Sequence, residues 1–239
     1  MLAPDTQLPR QSAQTRSVAT DESKPGISEA SIAAAFKTGD LVLVATLCSR
    51  AEARLQHGCG QALVDAVKSR NTPLSTSLAV VDAWLGESPE ELMVGLAGVV
   101  RLVIEGLFIE AVDLLIRLQD FHESADGKAR IASKARELIG PAVLRLTLQQ
   151  DLDGVARLLQ RLLVLEPDNL EWRFDLANIQ VETGDYAGAS ENLAFMLYDA
   201  EYGDKARELS EEISERLRLA NYSEVPLERV ANQFMVSVM

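Results

Sequence analysis

Aromatic side chains make up only 5% of the 239 residues, and glycine and proline are sparse at 14 and eight. So little glycine and proline excludes a collagen-like or low-complexity chain. Leu and Ala lead an apolar set that amounts to 47% of the sequence. Small and unbranched side chains lose little rotamer freedom in a helix, so an almost all-α protein is expected.

Soft ligands are equally scarce. The cysteines are Cys48 and Cys59, the histidines His57 and His122. A structural zinc site takes four ligands and a catalytic one about three, so His57-Gly58-Cys59 falls short, and no metal is expected. His57-Gly58 reads as a helix end beside a small, semi-buried cysteine. A disulfide is not expected either: a helix running from Cys48 to about Gln56 would hold the two Cα atoms beyond the roughly 7 Å that a disulfide spans.

The GxxxxGK loop, a GxGxxG after a strand, the GxSxG elbow and HExxH are all missing. Carboxylates are plentiful, but on helices without an aromatic-lined pocket they read as solvated faces. The chain is therefore expected to be non-enzymatic and to need no cofactor. No apolar run approaches the roughly 18 to 20 residues that span a bilayer, and Met1 to Ser17 lacks the apolar core of a secretion signal. The chain reads as soluble, with its compartment open: cytoplasmic as it stands, periplasmic or secreted if a signal has been trimmed.

Charge narrows the partners. Lys and Arg number 23 against 36 Asp and Glu, a net −13, which repels phosphate backbones and anionic lipid; nucleic acid and membrane insertion are not expected. From Glu166 to Glu228 there are 16 acidic residues and five basic ones, so 11 of the 13 net negative charges sit there.

Residues 1–26 are rich in Ser, Thr, Gln, Asp and Pro without hydrophobic periodicity, which predicts a disordered tail. Residues 27–220 carry helical periodicity almost throughout. Turn signals interrupt it at Thr38-Gly39-Asp40, Asn71-Thr72-Pro73, Gly86 to Pro89, Glu105-Gly106, Asp126-Gly127, Gln150-Asp151, Glu166 to Asn169 and Thr183-Gly184-Asp185. They delimit helices of about 10 to 16 residues.

A unit repeats. Its clearest copy begins at Leu170, with Leu176-Ala177 on a first helix, Gly184-Asp185-Tyr186 at a turn, and Ala189 and Leu193 on a second helix; Pro167 closes the copy before it. A turn glycine accepts positive φ, and a small residue at a helix crossing lets two axes approach. This pattern resembles the tetratricopeptide repeat. One period of 34 residues earlier, Arg136 to Asn169 forms a second unit. It departs from the pattern at Val155, where the small crossing residue belongs, and at Gly140-Pro141, where a kink is expected. Leu92 to Ala125 forms a third, with Gly106, Ala111, Leu115 and Leu118. Pro25 to Gly58 forms a fourth, with Gly39-Asp40 but Val44 in place of alanine. Cys59 to Glu91 reads as a helical pair with almost no motif residues. The turn at Gly106 lies 44 residues from that at Gln150, implying an insertion of roughly ten residues around Ser124 to Lys134. Asp204 to Leu219 is amphipathic and reads as a solvating cap. The expected architecture is an α-solenoid of about five irregular helix pairs, a capping helix and a short extended tail.

That tail, residues 221–239, alternates Phe234, Val236 and Val238 with Met235, Ser237 and Met239, a period of two. It also resembles, more distantly, the opening strand of retropepsin-like aspartic proteases. The resemblance implies a helical arm that positions substrates or partners for a catalytic domain beyond this sequence, since no Asp-Thr-Gly or Asp-Ser-Gly occurs within it.

The tetratricopeptide resemblance implies binding of a protein or peptide in the concave face built by the first helices. On the best repeat the groove residues are expected to be Glu171, Phe174, Asn178, Val181 and Glu182, with packing an equal reading for Phe174 and Asn178. In the third unit Met93, Leu96, Val100, Val103 and Ile104 occupy the corresponding positions, though a helix apolar nearly all round reads as core. The family's clamp for C-terminal carboxylates needs Lys and Arg beside an asparagine. Asn178 is in place, but Phe174 and Glu171 stand where cations would be, so a partner of apolar or basic character is expected. A homo-oligomerising scaffold is the third reading.

Overall fold

The computed structural model describes residues 27–88 and 92–223, apart from the side chains of 53 and 220–223. The described chain is helical, with no strand, in eleven elements: α1 (Glu29–Thr38), α2 (Leu41–Ser49), α3 (Ala53–Lys68), α4 (Leu74–Glu87), α5 (Leu92–Glu105), α6 (Phe108–Asp120), α7 (Ala125–Leu148), α8 (Leu152–Leu165), α9 (Leu170–Thr183), α10 (Tyr186–Ala194) and α11 (Gly203–Ser223). Five consecutive pairs and a terminal helix make the expected all-α solenoid.

The pairs turn on one recurring device. Gly39, Gly106 and Gly184 have φ of 73°, 79° and 83°, and Gln150 joins them at 59°. Each is the residue where a first helix ends and its partner begins. In three of the four an aspartate follows and caps the next helix: Asp40 accepts the Leu43 N–H, Asp151 the Gly154 N–H and Asp185 the Gly188 N–H, at 3.0, 2.9 and 3.0 Å. A left-handed residue reverses the chain, and the carboxylate satisfies a donor that the new helix would leave bare.

One large core runs from Ile32 to Leu176 and holds Trp84 fully buried. A second, smaller one joins Ala177, Val181, Ala189, Leu193, Met196, Ala206, Leu209 and Ile213 of α9, α10 and α11. At the N-terminal end the packing is cross-woven, with α2 against α4 and α3 against α5, whereas α8 to α10 stack in sequence. Arg101 of α5, only 4% exposed, secures this weave. Its guanidinium donates to the Ser69 carbonyl that ends α3 and pairs with Glu105 at 3.0 Å.

Several expectations are corrected. Cys48 and Cys59 are disulfide-bonded, with Cα atoms 5.9 Å apart. The helix that starts at Leu41 stops at Ser49 rather than near Gln56, and the break at 50–52 lets α3 fold back beside α2. His57-Gly58 lies inside α3 and ends nothing. A neighbouring glycine, Gly60, serves close approach instead: a Cβ there would meet Met93 Sδ at 2.6 Å and the Trp84 ring at 3.2 Å. Asp126-Gly127 is not a turn but the first turn of α7, capped by Ser124, whose Oγ accepts the Gly127 N–H at 3.1 Å. The ten-residue insertion is absorbed as extra helix, making α7 24 residues long and carrying Pro141 inside it. Helix α11 continues to Ser223, past residue 220. The tail 1–26 and the segment 224–239, with its protease-like strand, lie outside the described residues.

Candidate interaction groove

Helices α7 and α9 are the first helices of adjacent repeats, and they scarcely touch; α8 packs against both. Between them lies a groove of about 370 Å³. One end is pinned by Glu166, which accepts from Arg136 Nε of α7 at 2.9 Å and from Asn169 Nδ2 at 3.1 Å. Asn169 in turn caps α9, its Oδ1 accepting the Trp172 N–H at 3.1 Å. The other end lies toward the Gln150-Asp151 turn.

Val143 and Leu144 wall the groove on α7, Ile179 walls it on α9, and Val155 of α8 lies beneath. Val155 is the residue that replaces the small crossing alanine, and it is 1% exposed. Gly140 also lines the groove; a Cβ placed there would meet nothing within 4 Å. Leu144 is 61% exposed and Leu148, one turn on, 77%. The two leucines lie one turn apart on the same face of α7, so their exposed aliphatic surface adjoins the groove.

The polar atoms of the groove have a common character. Asn178 donates its Nδ2 to the Phe174 carbonyl at 2.9 Å, and Thr147 donates its hydroxyl to the Val143 carbonyl at 2.9 Å. Thr147's only donor and one of the two on Asn178 are spent on their own helices. The carboxylate of Asp175 has no ion-pair partner among the described residues. Asp175 is exposed by surface area, yet the protein atoms crowding one side of its carboxylate raise its pKa, and the charge of Glu171 one turn earlier raises it further.

Of the five residues expected from the sequence, Asn178 alone lines this groove. Glu171 and Glu182 are exposed on α9, one turn before Asp175 and one turn after Asn178. Glu171, Asp175, Asn178 and Glu182 thus share a stripe at helical spacing. Phe174 is half-buried, its ring 5.8 Å from that of Tyr202, and packs against the second core. Val181 is 2% exposed within that core. In the third unit Met93, Leu96 and Val103 pack against the large core, and Ile104 is 44% exposed. Asp175, Ile179, Leu144 and Leu148 were not expected; the i, i+4 spacing of Glu171 to Asp175 and of Leu144 to Leu148 is the signal that could have found them.

Two other surfaces compete less well. A groove between α6 and α8 holds Arg157, Arg161 and the half-exposed Val164, but Arg161 is 3.5 Å from Asp113. Phe195 and Tyr198, 67% and 98% exposed, follow α10, and the Arg173 guanidinium lies 3.8 Å from the Phe195 ring centroid. No described helix is long and apolar enough to cross a membrane.

A family model described as Tetratricopeptide repeat matches residues 146–200, from the end of α7 through α10. No curated protein matches the chain.

Proposed function

We propose, from the premise that the chain is a tetratricopeptide-like helical-repeat protein, that it is a binding module rather than a catalyst, and that it holds a segment of a protein partner in the groove between α7 and α9. The supporting observation is Leu144 and Leu148, 61% and 77% exposed beside a groove that the described residues leave open. Burying two leucines against a partner contributes roughly 2 to 4 kcal/mol, enough to make this groove the energetic centre of an interface. In this reading Leu144, Val143 and Ile179 form the apolar contact, Asp175 and Asn178 give polar contacts, and Glu171 and Glu182 lie along its edge. Phe174 and Val181 support α9 from behind.

The test is a substitution that fills the groove from within. Gly140→Leu meets no protein atom at its Cβ; the helical gain on replacing glycine, about 1 kcal/mol, opposes the clash of a Cβ with the Pro141 ring. A partner that co-purifies with the full chain from its source, then purified itself, should bind the Gly140→Leu variant at least tenfold more weakly. It should bind an outer-face control, Val164→Ser, unchanged, with helicity equal in both. Unchanged affinity for Gly140→Leu would reject the groove.

A further inference from the structure

We infer that the partner segment taken up between α7 and α9 is a basic, aliphatic peptide: a Lys or Arg side chain directed at Asp175, flanked by Leu, Ile or Val side chains on Leu144 and Ile179. This deepens the groove reading and rests on it. Three independent features converge on the same chemistry.

The first is the balance of donors and acceptors. Thr147 spends its hydroxyl proton, and Asn178 one of its two amide N–H groups, on backbone carbonyls of their own helices. What remains for a ligand is mostly acceptors, the Asp175 carboxylate, the Asn178 side-chain carbonyl and the lone pairs of Thr147, beside the second Asn178 N–H. A ligand rich in N–H donors completes this set, whereas a carboxylate or phosphate would find a single amide N–H beside the repelling Asp175 carboxylate. The second feature is charge. Asp175 is exposed at the groove, has Glu171 one turn away and pairs with no cation among the described residues. Arg136, on the α7 side of the groove, is already held by Glu166. A cation from outside would offset the repulsion between Asp175 and Glu171 and the loss of water on docking, whereas a neutral ligand would add to the latter without compensation.

The third feature is shape. The walls are aliphatic, formed by Val143, Leu144 and Ile179, and the open space beside Gly140 faces Asp175 across the groove. A long methylene stem can lie along those walls while its charged end reaches the carboxylate, which suits Lys and Arg better than a short polar side chain. The chain's net −13, concentrated in this C-terminal half, steers such a segment toward the groove from a distance.

The experiment is selection of a displayed random 12-residue peptide library on the full-length chain at low salt. Recovered peptides should carry Lys or Arg next to Leu, Ile or Val. As synthetic peptides they should bind Asp175→Asn about fivefold more weakly than wild type, and should lose affinity as salt is raised. Asp175→Lys should reverse the selection toward acidic peptides, a change that a merely structural role for Asp175 would not produce. Neutral or acidic peptides recovered on wild type, no enrichment at all, or basic peptides indifferent to both substitutions would overturn the inference. The groove reading is separable: peptides blocked by Gly140→Leu but without basic preference overturn only the ligand chemistry, and peptides indifferent to Gly140→Leu overturn both.

Discussion

Gln150 occupies the same left-handed turn that Gly184 occupies one repeat later, at φ 59° against 83°, and each is followed by an aspartate that caps the next helix. A residue with a Cβ in this region is disfavoured by about 1 kcal/mol, a cost that glycine avoids. Gln150→Gly should therefore raise unfolding free energy by about 1 kcal/mol, measured by urea denaturation at constant m value. A variant equal to wild type or weaker would mean that the turn does not carry this strain.

Arg101 stands at the other energetic extreme. Its buried guanidinium joins the end of α3 to α5, and its Nε has no hydrogen-bond partner. Arg101→Ala removes both contacts and leaves the Ser69 carbonyl only the Thr72 N–H at 3.1 Å, so stability should fall by about 2 to 4 kcal/mol. Chemical denaturation reads it directly. A loss under 1 kcal/mol would show the cation to be dispensable to the weave of α2 to α5.

The disulfide joins cysteines 11 residues apart in sequence. Closing a loop of that size in the unfolded chain corresponds to roughly 3 kcal/mol. Reduction, or Cys48→Ser with Cys59→Ser, should lower the melting temperature by several degrees. Mass spectrometry without reductant should find the two cysteine peptides linked. Alkylated, unlinked peptides from chain prepared under oxidising conditions would contradict the bond.

Asp175 gives a pH signature. Its folded-state pKa is raised above the ordinary 3.8 by burial and by Glu171, so the folded chain binds the proton more readily than the unfolded one. The charged form therefore costs stability at neutral pH. That cost disappears as pH falls through the raised value toward 3.8. Asp175→Asn should melt about a degree higher than wild type at pH 7, an effect kept small by solvent screening, and the difference should vanish on acidification. A difference that grows on acidification would have the wrong sign for a raised pKa.

The turns were legible because their cause is local. A glycine followed by aspartate sets both a left-handed φ and a helix cap within four residues. The helix pairs followed from the spacing of those turns. Less local features were hidden. The disulfide depends on α2 stopping at Ser49, where Arg50 to Glu52 offer neither glycine nor proline. The added residues before Gln150 were visible as a count, but only packing makes them helix, with Ile131, Ala132, Ala135 and Ile139 buried along one face of α7. The rotation of α9 was the hardest to read. Helix α9 meets α8, α10 and α11 on different sides, so its apolar residues are spread around it and no single stripe marks the groove face. Hence Phe174 and Val181, expected toward a partner, turn to the second core, and Asp175 and Ile179 line the groove in their stead.

Photo-cross-linking measures the central claim most directly. A benzophenone amino acid replacing Leu148 beside the α7–α9 groove is compared with one replacing Tyr198, which is more exposed but remote from it, at 98% against 77%. With the bound partner present, the account predicts an adduct from position 148 and none from position 198. An adduct from 198 alone would place the partner elsewhere and contradict it.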